Sequence, residues 1–153
     1  MSSNVRVELA LGHELPQLAA LFDAYRQFYE QPSDLPRALR FLQQRQTLRQ
    51  ALLWGAWSGT DALGLCQCYP TFCSVIAEPI WVLYDLYVHP DARGQGVAHA
   101  LMAAVEEAAR QRGVARLDLT TAHTNTTAQA LYESRGWERD LVFRTYTKTL
   151  SGT

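Results

Sequence analysis

The residues best suited to chemistry lie where the apolar segment Trp81–Val88 is followed by the turn Arg93-Gly94-Gln95-Gly96-Val97-Ala98. The apolar segment is typical of a strand, and the residues after the turn are typical of a helix. Glycine lets backbone N–H groups approach a ligand closely, and the first turn of a helix has unpaired N–H groups and the positive end of the dipole. Arg93 can add charge-assisted hydrogen bonds. The sequence therefore predicts a site for a phosphorylated ligand.

Three phosphate-binding patterns can be compared with this turn. The chain has no Walker loop, which requires Gly, four residues, and then Gly-Lys followed by Ser or Thr. A dinucleotide fingerprint requires a third glycine where this chain has His99, and Asp118, the acid of the next strand, stands near that strand's beginning. The third pattern is Arg or Gln, two residues, Gly, one residue, and Gly or Ala. Arg93, Gly96 and Ala98 match it in type and spacing.

Together with two later segments, this turn resembles the GNAT superfamily of acyl-CoA-dependent N-acyltransferases. The segment Ala122-His123-Thr124-Asn125 is similar to the family's loop after the next strand. The segment Ala130-Leu131-Tyr132-Glu133-Ser134-Arg135-Gly136-Trp137 is similar to its late helix and the exit from that helix. Because the segments follow one another in the family's order, the resemblance extends over about half of the chain directly.

The resemblance implies acetyl-CoA as a co-substrate, held by the turn and by the strand before it. The strand that carries Tyr87 and Val88 is expected to diverge from the Leu117–Thr121 strand, so that freed main-chain groups bond the pantetheine arm. A backbone N–H group would polarise the thioester carbonyl. Asn125 is expected to bond the cofactor arm, to cap the late helix, or to do both. The CoA pyrophosphate is expected to contact Arg93 and the N–H groups of Gly94, Gln95, Gly96, Val97 and Ala98.

Asp85 and Tyr132 are the candidate catalytic residues. An acid within a buried strand is costly unless it is paired or functional, and period two places Asp85 on one face with Leu83 and Tyr87. Asp85 is expected either to contact the acceptor amine and take its proton, directly or through water, or to accept structural hydrogen bonds. Tyr132 matches the family's general-acid position, and a phenol with a pKa of about 10 can protonate a departing thiolate. The alternative for Tyr132 is a packing aromatic.

Candidate acceptor-binding residues lie at the end of the first predicted helix, in Tyr25-Arg26-Gln27-Phe28-Tyr29. In the resembled family the early helices form a wall of the acceptor pocket. Aromatic side chains such as Tyr25 and Tyr29 can stack against an alkyl or cationic amine, whereas Arg26 can hold a carboxylate. In the alternative interpretation Tyr25 and Phe28 belong to the core and Arg26 is solvated.

The elements that must position these residues follow from hydrophobic periodicity. The pattern predicts an α+β fold, a GNAT-like single domain over residues 1–153, with a mixed, mostly antiparallel central sheet and about four helices. The helix after the glycine turn is a crossover that makes its flanking strands parallel. Strands are predicted at Val5–Glu8, Ala51–Trp57, Leu63–Tyr69, Trp81–Val88, Ala115–Thr121 and Val142–Leu150. Helices are predicted at Glu14–Phe28, from Leu35 to about Arg49, at Val97–Arg112 and at Thr126–Arg135.

Length and composition restrict the class of protein. The 153 residues suffice for one domain with a sizeable core, and 48% hydrophobic with 19% charged residues is typical of globular chains. A net charge of −1 gives no general reason to bind nucleic acid or an anionic membrane. Because no apolar run approaches a membrane span and Met1–Leu11 lacks signal-peptide features, a cytoplasmic location is expected.

The cysteines Cys66, Cys68 and Cys73 form an odd, clustered set without a matching second pair. Cys66 and Cys68 alternate with other residues, so they are expected to share one face of a strand. Because further ligands at suitable spacing are missing, reduced and mostly buried thiols are preferred over a metal site.

The sequence as a whole predicts an N-acetyltransferase that moves an acetyl group from acetyl-CoA to a primary amine, by direct attack in a ternary complex and without a metal. The acceptor is left open among a small amine, a polyamine, an amino acid and a lysine side chain. The expected partner is thus a small-molecule or peptide amine, and a homodimer is also left open. The alternative is a noncatalytic CoA-binding regulatory module of the same fold.

Overall fold

The computed structural model describes residues 4–151. A single mixed sheet has the strand order β1-β2-β3-β4-β5, in which β1 to β4 pair antiparallel and β5 pairs parallel to β4. Together with the helices described here, this confirms the predicted α+β fold. The elements are β1 (Arg6–Leu9), α1 (Leu15–Phe28), α2 (Leu35–Thr47), β2 (Leu52–Ser58), β3 (Asp61–Cys73), β4 (Glu78–Val88), α3 (Val97–Gln111), β5 (Arg116–Asp118) and α4 (Thr126–Ser134).

The chain divides into two compact units, one up to Thr120 and one from Thr121 onward. The first unit holds the sheet and α1 to α3, and the second holds α4. The expectation of one domain over residues 1–153 stays a prediction. Among residues 4–151, no helix combines the length and the apolar character that crossing a bilayer requires.

The predicted strand Val142–Leu150 is not formed: these residues are described by the structure, and none of them belongs to a strand. Alternating side chains stabilise a strand only where a neighbouring strand supplies hydrogen bonds. Here the carboxylate of Asp140 accepts hydrogen bonds from the N–H groups of Val142 at 2.8 Å and Phe143 at 3.1 Å. This local turn uses backbone donors that a strand would need for its ladder.

The helices of the first unit lie on opposite faces of its sheet. Leu65 on β3 belongs to the buried cluster that α1 and α2 form with the sheet. A Cβ atom added to the preceding Gly64 would lie 3.3 Å or less from side chains of Val97 and Leu101 on α3. Because successive strand residues face opposite sides, α1 and α2 cover one face and α3 covers the other. Gly64 pairs with Val88, so α3 begins beside the end of β4.

A β-bulge in β4 changes which side chains face the helices. Gln67 pairs with Asp85 and Cys68 pairs with Leu83, so Tyr84 is an extra residue without a partner on β3. Paired residues share a face, and alternation from Gly64 places Cys68, and hence Leu83, on the α3 face. Asp85 lies with Gln67 on the opposite face. The prediction that Leu83 and Asp85 share a face is therefore wrong, since the bulge interrupts the period of two.

The connection between α1 and α2 is fixed by a buried carboxylate, Asp23, which is 6% exposed. It accepts hydrogen bonds from the Ser33 hydroxyl at 2.7 Å, the Asp34 N–H at 2.8 Å and the Gln27 amide at 3.2 Å. Burial raises the pKa of Asp23, but these hydrogen bonds and the charge of Arg26 lower it below its ordinary value. The ionised carboxylate thus holds the start of α2 against α1.

Replacing Asp23 with alanine is expected to lower the free energy of unfolding by about 2 kcal/mol at pH 7, because buried donors lose a charged acceptor. Asp61→Ala, at the exposed first residue of β3, is the control and is expected to have little effect. Since the folded-state pKa lies below the ordinary 3.8, the stabilisation is present above that value and is lost as pH falls through the lowered one. Denaturant unfolding at several pH values measures both effects. Equal stability of the two variants at pH 7 contradicts the prediction.

Candidate active site

An open backbone edge lies where β4 and β5 separate. Their ladder joins Ile80 with Arg116 and ends at Val82 and Asp118, and within residues 4–120 no strand pairs with this edge of β4 beyond Val82. The β-bulge at Tyr84 lies just beyond Val82, and bulges bend a strand and increase its twist. The pairing of β4 with β5 therefore stops at Val82, and the expected divergence of the two strands beyond it stays a prediction.

The main chain of Leu86 and Val88 faces this open edge. The His89 N–H donates to the Leu63 carbonyl at 2.7 Å, which fixes the phase of the β3–β4 ladder. In an antiparallel ladder, residues alternate between the two edges, so the backbone of Tyr87 bonds β3 while those of Leu86 and Val88 point the other way. Sequence reasoning named Tyr87 and Val88 but missed Leu86, because only the register reveals the phase.

Arg93 ties the turn to the end of β4. Its Nε donates to the Val88 carbonyl at 3.0 Å, and its guanidinium carbon lies 5.4 Å from the centroid of the Tyr87 ring. This contact fixes the path of the chain into the glycine turn. Tyr87 therefore contributes its ring rather than its backbone to this part of the site.

The turn itself has the left-handed backbone that glycine favours. Gly94 has φ 76° and Gly96, the residue before α3, has φ 80°. The Ala100 N–H donates to the Gly96 carbonyl at 3.0 Å, and the N–H groups of Val97 and Ala98 precede this first turn of hydrogen bonds. A Cβ atom added to either glycine would meet no atom within 4 Å, so the space above the turn is open. Such a turn can accept a phosphate group. Within the turn, the side-chain amide of Gln95 donates a hydrogen bond to the Asp91 carbonyl at 3.3 Å.

A pocket of about 290 Å³ lies between the bulge of β4 and the helices α1 and α2. Its floor includes Tyr84 and Asp85, so the bulge turns both side chains toward it. The resemblance implied that the early helices form a wall of the pocket, but the acceptor-binding residues predicted from the sequence lie in α1 or at its end, and none lies on α2 or β3. The remaining lining residues are aromatic, basic or small: Phe22, Tyr25, Arg26, Arg37, Ala38, Phe41 and Tyr69.

Asp85 is 5% exposed and has a specific partner. The Gln67 amide donates to its Oδ2 atom at 3.0 Å and lies 3.2 Å from the Tyr69 hydroxyl. Burial raises the pKa of Asp85 above its ordinary value, and hydrogen bonds from Gln67 and Tyr25 act in the opposite direction. Burial and the charge of Asp85 also raise the pKa of Tyr69, which keeps its proton. Asp85 is therefore a buried carboxylate whose pKa is raised by burial, and its role as a proton acceptor stays a prediction.

The predicted acceptor residues separate into two groups. Tyr25 and Arg26 line the pocket, and the Tyr25 hydroxyl donates to the carbonyl of the bulge residue Tyr84 at 3.2 Å. Tyr29 ends α1 at 48% exposure, packs on the Tyr25 ring, and is not part of the lining. The interpretation of Phe28 as core is wrong, because it is 64% exposed and packs edge-on against Tyr29.

The second unit contains Asn125 and Tyr132. The Asn125 side chain accepts from the Ala128 N–H at 3.2 Å, which confirms its predicted capping role for α4. The helix ends where Gly136 adopts φ 86° and the Trp137 N–H reaches the Tyr132 carbonyl at 3.1 Å. The rings of Tyr132 and Trp137 lie 6.0 Å apart. The roles of Asn125 toward the cofactor and of Tyr132 as an acid stay predictions.

The thiols Cys66 and Cys68 are buried and free, as predicted, and Cys73 is half-buried and also free. The neighbouring Cys68 and burial raise the pKa of the Cys66 thiol, so it remains protonated. Among residues 4–151, His, Cys, Asp and Glu form no group of three or more arranged to hold a metal ion.

Comparison with known proteins identifies the family. The sequence model of the acetyltransferase (GNAT) family matches residues 17–137. The chain belongs to this family. It is 40% identical to an uncharacterized N-acetyltransferase, YhfO, of Bacillus subtilis strain 168, over 93% of this chain and 95% of that one. A crystal structure of a probable acetyltransferase, 34% identical, superposes with a TM-score of 0.91 over 97% of this chain and 99% of that one.

A shorter match covers about half of this chain. The ribosomal protein bS18-alanine N-acetyltransferase of Escherichia coli strain K12 is 37% identical over 70 residues, which is 46% of this chain and 47% of that protein. The chain is thus a GNAT family member whose relatives are acetyltransferases.

Substituting Gly96 with alanine is expected to weaken CoA binding about tenfold or more, because a side chain then stands over the N–H groups of the turn. Gly113→Ala is a matched control. Gly113 ends α3 with φ 72° and equally open space, about 22 Å along the helix, so both variants bear a similar folding cost. Calorimetric titration with CoA measures the difference. Equal affinities of the two variants contradict the assignment of the turn.

Proposed function

We propose that this GNAT family member transfers an acetyl group from acetyl-CoA to a primary amine by direct attack in a ternary complex. The observation that supports the proposal most is the open edge of β4. It has the glycine turn at its end and a buried acid, Asp85, at its bulge. A donor along this edge and an acceptor in the pocket beside Asp85 would approach each other at the bulge. A cytoplasmic location and a homodimer remain predictions.

The residues along this edge fit acetyl-CoA. The N–H groups of Leu86 and Val88 and the carbonyl of Leu86 are available to an extended arm that contains amides, in the manner of an added strand. The turn and the first N–H groups of α3 offer donors and a positive dipole end to the pyrophosphate. When bound, acetyl-CoA supplies a thioester, whose carbonyl carbon accepts an amine.

Asp85 is proposed to receive the proton of the acceptor's ammonium group, directly or through water. Its raised pKa makes it a better proton acceptor than a solvated carboxylate, and Gln67 fixes one of its oxygens. An N–H group of Leu86 or Val88 is proposed to polarise the carbonyl under attack, since both face the open edge.

Tyr132 is proposed as the general acid that protonates the departing thiolate. Its support is the family resemblance of the motif Ala130–Trp137, together with the cap and exit that fix α4 at both ends. A neutral phenol is a suitable donor to a thiolate, because it holds its proton at neutral pH.

An acceptor screen tests the activity itself. The protein is incubated with acetyl-CoA and a panel of amines, amino acids and basic peptides, and release of free thiol is followed. Thiol release that depends on an amine is the expected result. Binding of CoA measured by calorimetry, without thiol release from any amine, favours the noncatalytic module instead.

Replacing Tyr132 with phenylalanine is expected to lower turnover about 100-fold, because the thiolate then leaves without its proton donor. The affinity for acetyl-CoA is expected to stay within about twofold, since the ring is retained. Tyr146→Phe, which removes a hydroxyl outside the motif, is the control. Wild-type turnover of the Tyr132 variant under conditions where chemistry limits the rate returns this residue to a packing role.

Asp85→Asn is expected to lower kcat/KM for the acceptor about 100-fold while CoA binding persists. Because burial raises the pKa of Asp85, the wild-type rate is expected to fall as pH drops through that raised value. The Asp85→Asn variant should lack this fall in rate and keep only the pH dependence that comes from deprotonation of the acceptor amine. Asp61→Asn on the same sheet is the control. Identical pH profiles for wild type and the Asp85 variant refute the role as base.

A further inference from the structure

The charged residues that line the pocket indicate which further chemical group the acceptor carries besides its amine. We propose that the acceptor is a small amine that also carries an anionic group, and that Arg26 and Arg37 bind this group. The inference rests on the proposed acetyl transfer, because it takes the pocket beside Asp85 as the acceptor site.

Arg26 has donor capacity that the protein itself does not use. Its Nη1 atom is buried and, within residues 4–151, has no hydrogen-bond partner. The nearby carboxylate of Asp23 is occupied by Ser33, Gln27 and the Asp34 N–H, and no ion pair within 4.0 Å joins it to Arg26 in the described chain. A buried guanidinium donor without a partner is costly. Arg26 also lines the pocket, so a turn of its guanidinium can bring this donor to a ligand oxygen there.

A second arginine, Arg37, lines the same pocket from α2. The described lining residues thus include two arginines and one acid, Asp85, which is ionised when it acts as the base. Two positive charges and one negative charge leave this lining net positive. A polycation would be repelled, whereas a carboxylate or phosphate could form charge-assisted hydrogen bonds with both arginines.

The placement of these charges also orients the acceptor. Asp85 lies on the sheet at the bulge, beside the open edge of β4, whereas Arg26 and Arg37 belong to the helices that cover this face. An acceptor whose anionic group contacts the helices places its amine toward the sheet. The aromatic lining between them, which includes Phe22 and Phe41, suits the carbon atoms of a small molecule.

Matched acceptor pairs provide the test. Common amino acids are compared with their amides, O-phosphoethanolamine with ethanolamine, and both sets with spermidine and an aminoglycoside, by thiol release from acetyl-CoA. We expect an anion-bearing amine to exceed its analogue without the anionic group about tenfold or more in kcat/KM. The phosphate and carboxylate pairs distinguish the two kinds of anion. Higher kcat/KM for spermidine, the aminoglycoside or the amides overturns the proposal.

Variants assign the preference to the arginines. Arg26→Gln and Arg37→Gln are each expected to raise KM about 10- to 100-fold for the preferred anion-bearing amine and to leave KM unchanged for its analogue without the anionic group. Arg37 is exposed enough for its replacement to keep the fold if Arg26→Gln lowers stability. Arg40→Gln, exposed on the same helix and outside the lining, is the control. An equal effect on both members of a pair overturns the proposal.

A binding measurement separates this inference from the proposed activity. If no amine releases thiol, the same amino acids and O-phosphoethanolamine are titrated into the CoA-loaded protein by calorimetry. Binding that Arg26→Gln and Arg37→Gln weaken supports the anion site although acetyl transfer has failed. Absence of binding by every anion-bearing amine overturns the inference.

Discussion

The extra residue in β4 at Tyr84 constrains both the pocket and the open edge. Up to Val82 the strand has hydrogen-bonded neighbours on both edges, and beyond the bulge its pairing in the first unit continues with β3 alone. The same insertion reverses the alternation, so that Asp85 turns toward α1 and α2 while Leu83 faces α3. The Tyr25 hydroxyl bonds the carbonyl of the inserted residue, which joins the first helix to the irregularity.

The pocket beside the bulge contains polar groups that a stability-optimised core would lack. Asp85 and Gln67 are buried in a sheet otherwise covered by apolar side chains, and Arg26 carries a buried donor without a partner in the described chain. Each of these groups costs free energy of folding unless a partner satisfies it. The apolar cluster around Leu18 and Leu65 on the same face offsets that cost. Buried donors without a partner also occur outside this pocket in the described chain, at Arg45 Nε and Trp57 Nε1.

Sequence reasoning succeeded where the determinants are local. Gly94 and Gly96 permit the left-handed backbone of the turn before α3. This requirement depends only on residues that are neighbours in the sequence, so the sequence is enough to predict it. The direction of Asp85 depends on a bulge that is visible only in the pairing with β3, so period two predicted the wrong face. Availability of the Leu86 backbone depends on the same register. The alternating residues after Val142 resemble a strand, but alternation cannot supply a partner.

Ligand binding at the open edge of β4 would be thermodynamically linked to folding. Backbone groups at an unpaired edge are satisfied by water in the free protein, and a ligand that bonds them stabilises only the native state. At a ligand concentration one hundred times its Kd, this linkage adds about 2.7 kcal/mol to the free energy of unfolding. Native lifetime and resistance to proteases would then follow the concentration of that ligand. A cell depleted of it would clear this protein faster, without any change in synthesis.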